Sequence, residues 1–298
     1  MSLLTRQDAA APPENPFKLY HYDPTVAGGV IVALLFLGTT LLHFWQLIRA
    51  RSWYVLPLAV GGIFQIVGYS ARAKSGTESP YWTLGPYIMQ ALLLLVAPAL
   101  YAATIYMQLG RIIRLVHGES RVRIPQKWMT KIFVIGDLLS FVLQGGGGGY
   151  QAAGSLEALQ VGAKVIIVGL FVQLIFFGFF IVIAIKFDIS ISKVPTAQAQ
   201  THTLWKRHMW ALYIGSLLVM VRSVFRAVEY LQGFDGYLLS HEAYLYIFDA
   251  ALMLLVMALF NYVHPSEVAT LLVSTEGEWS MGTLPKYYYG QRVGSTSA

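Results

Sequence analysis

The stretch HMWALYIGSLLVMVRSVFRAVEYL, His208 to Leu231, decides the reading of this chain. It exceeds the roughly 20 mainly apolar residues that a helix needs to cross a bilayer core. Yet it carries Arg222, Arg226 and Glu229. At 3.6 residues per turn these three share one stripe. A charged residue at the centre of a membrane helix costs roughly 2.5 to 3.5 kcal/mol on insertion scales, so that stripe must face protein or water rather than lipid. A membrane bundle with a purposeful polar interior follows.

Working outward, the same criterion picks out six more spans, giving runs near 27 to 49, 53 to 72, 84 to 108, 128 to 146, 161 to 186, 208 to 231 and 243 to 263. The chain reads as an all-α, polytopic seven-helix bundle: an extracellular tail over 1–26, a membrane domain over 27–264 and a cytosolic tail over 265–298. Its 298 residues are 56% hydrophobic and only 12% charged, outside the usual range of soluble domains. Alternating the connections across the membrane gathers fourteen of the 21 basic residues on one side. By the positive-inside rule the amino terminus is outside and the carboxyl terminus cytosolic. No apolar stretch with a small-residue cleavage site precedes the first span, so that span is expected to serve as an uncleaved insertion signal.

Several classes are excluded. With no cysteine, there are no disulfides, thiolate metal sites or cysteine nucleophiles. The net charge of +6 lies in short connections rather than in an amphipathic stripe, so nucleic acid is not a partner. No P-loop or soluble domain is present to drive transport with ATP. A seven-helix hydrolase holding zinc with histidines, suggested by Asp137 and Ser140, is disfavoured. Only His43 of the seven histidines lies well inside a span, and His241-Glu242 lacks the second histidine that a zinc helix supplies. No cofactor or metal is expected.

The polar residues form a pattern. The second run carries Gln65, Tyr69 and Arg72, the fourth carries Asp137, Ser140 and Gln144, and the others add Gln90, Gln173 and Asp249. Counting about 1.5 Å per residue, Arg222 lies roughly 21 Å above the cytosolic end of its helix and Asp249 about 9 Å below the outer end of the next, so they can meet. Runs two, three, four, six and seven are thus expected to turn polar stripes toward a single chamber in the outer half. Ion pairing and interhelical amide bonds are the simpler alternative. The five glycines Gly145 to Gly149 are expected to end the fourth helix in a flexible loop, since each costs about 1 kcal/mol against alanine. The polar tail after His264-Pro265, with Tyr287, Tyr288 and Tyr289, is expected to be irregular.

On these residues the chain resembles the RTA-like family of fungal seven-helix membrane proteins, also called lipid-translocating exporters. The resemblance runs through QIVGYSAR (65–72), YIMQALLLLVAPALYAATIYMQLGRII (87–113), FVIGDLLSFVLQGGGG (133–148), RSVFRAVEYLQG (222–233) and HEAYLYIFD (241–249). The family commonly has an acidic residue where this chain has Gln65. The resemblance implies a plasma-membrane protein concerned with export or transbilayer movement of sphingoid long-chain bases and with resistance to toxic lipids or drugs. For such an amphiphilic ligand the candidate residues are Arg222, Arg226, Glu229, Asp249, Asp137, Gln144, Gln90, Gln65, Tyr69, Ser140, His241 and Glu242. The acids would hold the amine, and the arginines would hold a phosphate or keep the acids ionised. A seven-helix lipid receptor signalling through the basic connections 111–131 and 186–207 is the second reading.

Overall fold

The computed structural model describes residues 20, 22–122, 125–151, 155–201, 203–233 and 236–272. Most of the amino-terminal tail and residues 273–298, including the three tyrosines of the carboxyl tail, lie outside the described residues. Seven helices are long and apolar enough to cross a membrane, and this is a multi-pass membrane protein. The spans are Val26–Ala50, Leu56–Thr77 after a 3₁₀ turn at Trp53–Val55, Leu84–Leu115, Gln126–Gln151, Leu156–Lys193, Leu204–Leu231 and Glu242–Tyr262. The last contains a π-helical turn at Tyr246–Ala251.

The helices run past the expected ends. The fifth has 38 residues, about 57 Å of helix, well beyond the roughly 30 Å of hydrocarbon. In lipid every backbone amide must bond within its own helix, so a helix continues until polar surroundings can take over. The same reason corrects the expectation of a loop at Gly145–Gly149: the fourth helix runs unbroken through all five glycines to Gln151. One of the five uses that bareness against a glycine of span five. A β-carbon on Gly147 would lie 2.7 Å from the Gly162 carbonyl oxygen, and one on Gly162 would lie 2.5 Å from the Gly147 carbonyl oxygen. Small residues facing one another let spans four and five approach backbone to backbone. The tail also starts differently. After His264-Pro265 the chain is helical over 266–272, with Val268 and Leu272 buried against the bundle.

Spans adjacent in sequence pack side by side, span seven closes back on span one, and spans three and six touch across the middle. That contact divides the interior into two compartments. The shared core includes Phe36, Leu58, Tyr101, Ile105, Leu212, Met253 and Phe260, all 2% exposed or less. The outward faces carry Leu34, Leu41, Ile48, Ile135, Ile175 and Leu217, an apolar surface that only lipid would tolerate at this extent.

Candidate functional site

Six charged side chains meet in the compartment bounded by spans one, two, three, six and seven, toward the face where the first span begins. Two layers can be distinguished. In the layer nearer that face, Arg72 of span two donates to Glu242 of span seven at 2.7 Å, to the Tyr22 hydroxyl at 2.9 Å and to the Tyr246 hydroxyl at 3.2 Å. Its guanidinium also lies 5.4 Å from the centre of the Tyr246 ring and 5.5 Å from that of Tyr22, an arrangement in which π faces replace some of the lost water. Glu242 takes a further two bonds from the Thr25 amide (2.9 Å) and hydroxyl (2.5 Å). The segment before span one is therefore tied across the mouth of the compartment, and the Tyr20 hydroxyl donates to Gln90 at 2.9 Å.

In the deeper layer, Asp249 is the hub. Arg222 pairs with it through Nε, Arg226 donates to its other oxygen at 3.1 Å, and the Tyr69 hydroxyl lies 3.4 Å away. Arg222 spends its second arm on the Leu94 carbonyl at 2.7 Å. Arg226 reaches Glu229 at 2.8 Å. Three cations and three anions thus balance. Arg222, Asp249, Arg72, Tyr69 and Glu229 are all 3% exposed or less. A guanidinium suits this place because its planar fork serves two acceptors at once. The sequence places the acid through the π-turn: such turns widen a helix locally and recur at functional sites, and here the turn holds Tyr246 and Asp249, which with Glu242 one turn earlier reach the arginines.

The expected single chamber is corrected in two respects. Its charges are joined to one another in ion pairs, with Arg72, Arg222, Asp249 and Glu229 buried and Arg226 and Glu242 partly exposed. The residues from span four lie elsewhere, behind the contact of spans three and six. There Asp137 accepts from Tyr106 at 2.9 Å, Ser140 donates to the Gly169 carbonyl at 2.7 Å, and Gln144 donates to Ser140 and, at 3.2 Å, to Gln173. His241 joins neither cluster. It is exposed, its ring tilted at 41° and centred 4.2 Å from that of Tyr237, and bonded to that residue's carbonyl. Gln65 is fully buried, and neither end of its amide has a protein partner.

Arg72, Tyr20, Tyr22, Thr25 and Tyr246 belong to the site although the residue pattern did not assign them to it. For Arg72 the signal was present, since it ends the Gln65, Tyr69, Arg72 stripe. The tyrosines carried none beyond their position near span ends. Among the described residues no group of three His, Asp or Glu is placed to hold a metal ion. A separate cavity of about 230 Å³ opens between spans five and six near their far ends, beside Asp188, Lys206 and Tyr213.

Comparison with known proteins identifies relatives along most of the chain. Protein RTM1 of Saccharomyces cerevisiae is 34% identical over 285 residues, covering 83% of this chain and 91% of its own. Protoporphyrin uptake protein 1 of the same species is 36% identical, covering 83% and 92%. The sphingoid long-chain base transporter RSB1 of S. cerevisiae is 27% identical over 331 residues, covering 95% and 83%. No solved structure matches the chain. A family model described as RTA1 like protein matches residues 58–271, and it is to this family of membrane proteins that the chain belongs.

Proposed function

We propose that this protein binds an amphiphilic lipid, most closely a sphingoid long-chain base, in the compartment of spans one, two, three, six and seven and promotes its movement across or out of the plasma membrane, with the amino terminus outside. The observation that carries the reading is the balanced network of three arginines and three acids buried within lipid-facing helices. Packing alone does not require it, since buried ion pairs replaced by apolar residues of similar volume are often no less stable. Such a network can exchange partners: an ammonium head displaces an arginine from Glu242 or Asp249, and the freed guanidinium takes a hydroxyl or phosphate oxygen. The relatives' names support an amphiphile in general, since one is called a protoporphyrin uptake protein and another a sphingoid long-chain base transporter. On this reading the protein is a carrier that makes and breaks no covalent bond, and resistance to toxic amphiphiles is the cellular result.

The deciding experiment uses purified protein in liposomes with fluorescent sphinganine, its transfer between leaflets read by quenching with an impermeant reductant. Transfer should exceed that of protein-free vesicles and fall at least roughly tenfold in Asp249→Asn, the order expected when one intramembrane acid is neutralised. Transfer no faster than in empty vesicles would overturn the proposal. The closure of the network favours a second reading, a lipid sensor, in which sphinganine binds and changes the fluorescence of the bundle's tryptophans without crossing.

A further inference from the structure

Between the paired charges and the opposite face, spans one, two, six and seven bury a succession of polar atoms that no protein group satisfies. Gln65 sits one turn from Tyr69 on span two, wholly buried with both amide ends unpartnered. Thr40 on span one and Ser216 on span six each bury a hydroxyl without a partner, at 2% and 1% exposure. Thr40 faces span two one turn below Gln65, for a β-carbon on Gly62 would lie 2.3 Å from its hydroxyl. Native interiors rarely leave such atoms unbonded, and water is their usual partner.

The next turn of span one presents His43, also wholly buried. Its Nε2 lies 3.0 Å from the Met257 carbonyl. A carbonyl only accepts, so Nε2 carries the hydrogen and Nδ1 holds a bare lone pair, and Nδ1 is the ring atom without a partner. The ring of His264 is centred 5.9 Å away, and its polarity is the reverse. The Ser266 amide donates to its Nδ1 at 3.3 Å, so in the neutral ring Nε2 bears the hydrogen, and Nε2 is the unpartnered atom. One imidazole offers an empty acceptor and its neighbour an unused donor. Beyond them His208 of span six contacts Glu267 at 3.2 Å and Gln108 at 3.3 Å. Arg207 lies 3.8 Å from Glu267, and Arg111 stands over the Tyr54 ring whose hydroxyl bonds Gln108 and the Pro265 carbonyl.

We propose that this axis is a proton relay, running from His208 and Glu267 through His264 and His43, then over water held by Thr40 and Gln65, to Asp249. The transfers balance simply. Doubly protonated His264, its Nδ1–H turned to the Ser266 hydroxyl 2.6 Å away, gives its Nε2 proton to His43 Nδ1 and stays as the Nδ1–H tautomer until the next proton restores Nε2–H, and His43 keeps its Nε2–H on the Met257 carbonyl throughout. It passes the proton from Nδ1 to water bonded by the Thr40 hydroxyl and the Gln65 amide oxygen; the Asp249 carboxylate takes it up and, as Arg222 and Arg226 close on it again, releases it toward Glu242 and the mouth of the compartment, so that one proton crosses in each cycle. Protonation there removes the charge that holds both Arg222 and Arg226, so proton arrival loosens the network. That coupling rests on the lipid reading given above; the proton movement itself does not.

The test is the full chain in liposomes loaded with a pH-sensitive dye, with the voltage clamped by potassium and valinomycin and an acid step applied with and without sphinganine. Lipid transfer is followed in parallel. Internal acidification should exceed that of protein-free vesicles in at least one of the two conditions. It should fall roughly tenfold in Gln65→Leu and in His43→Gln, whose amide still donates to the Met257 carbonyl but does not titrate. Acidification at the protein-free rate in both conditions, or a rate unchanged in both variants, would overturn the relay. If sphinganine crosses while protons do not, the relay alone fails and the lipid reading stands. If protons cross and sphinganine does not, the relay stands without that cargo.

Discussion

Arg222 divides its guanidinium between the Asp249 carboxylate and the Leu94 carbonyl, and both acceptors are sealed from lipid and water. Removing one member of a buried pair strands the other, which costs about 3 to 5 kcal/mol. Asp249 keeps Arg226 when Arg222 is lost, so Arg222→Ala should lower unfolding stability in detergent by less than that amount. Replacing both partners, Arg222→Met with Asp249→Leu, should recover part of the loss, since only the Leu94 carbonyl and one arm of Arg226 then lack their partner, while sphinganine transfer stays abolished. Normal transfer by the stable double variant would reduce the pair to a structural device. Much of this was legible residue by residue: Arg222, Arg226, Glu229 and Asp249 were marked because a membrane helix does not carry charge without a reason. Which charge finds which was less legible. Arg72 meets Glu242 through helices that are far apart in sequence, a matter of rotation and register that hydropathy does not record.

At the level of helices, spans four and five show why a run of identical residues can hold different roles. Gly147 stands against the backbone of Gly162, whereas Gly146, Gly148 and Gly149 have nothing within 4 Å of an added β-carbon. Gly147→Ala should push the two helices apart and destabilise the bundle. Gly148→Ala meets nothing within 4 Å and lies where water does not compete for the backbone, so it should leave stability nearly unchanged. Thermal unfolding of the two variants in the same detergent checks the contrast, and equal shifts would contradict the packing described here. The glycine run was misread from sequence for a definite reason. Helix propensities describe a competition with water for the backbone, and in hydrocarbon that competitor is missing. The polar residues of span four were assigned to the wrong compartment. The contact between spans three and six that separates Asp137, Ser140 and Gln144 from the charged network is a product of the whole packing and leaves no mark in the fourth helix.

For the whole molecule, hydropathy and helical period were enough to establish seven spans, because length and apolarity are imposed by the bilayer itself. Orientation rests on the distribution of arginine and lysine, and the chain provides its own clean test because it has no cysteine. Glu157 and Ser120 are both exposed and lie at opposite ends of the bundle. In intact cells a membrane-impermeant maleimide should label Glu157→Cys, and should reach Ser120→Cys only after permeabilisation. The reverse pattern would invert the topology and place the charged network in the cytosolic half.

The bond from Thr25 and Arg72 to Glu242 has a consequence for biosynthesis. Glu242 and Asp249 both belong to span seven, which leaves the ribosome after the other six, so until it is inserted Arg72, Arg222 and Arg226 have only Glu229 among the network's acids to answer them. The nascent chain must wait in the translocon's neighbourhood, or lean on a chaperone, with its electrostatics unresolved. A chain halted after Leu231 should be recognised as incomplete and degraded, and co-expression of the missing segment from Gly236 onward should rescue its half-life in a pulse-chase measurement.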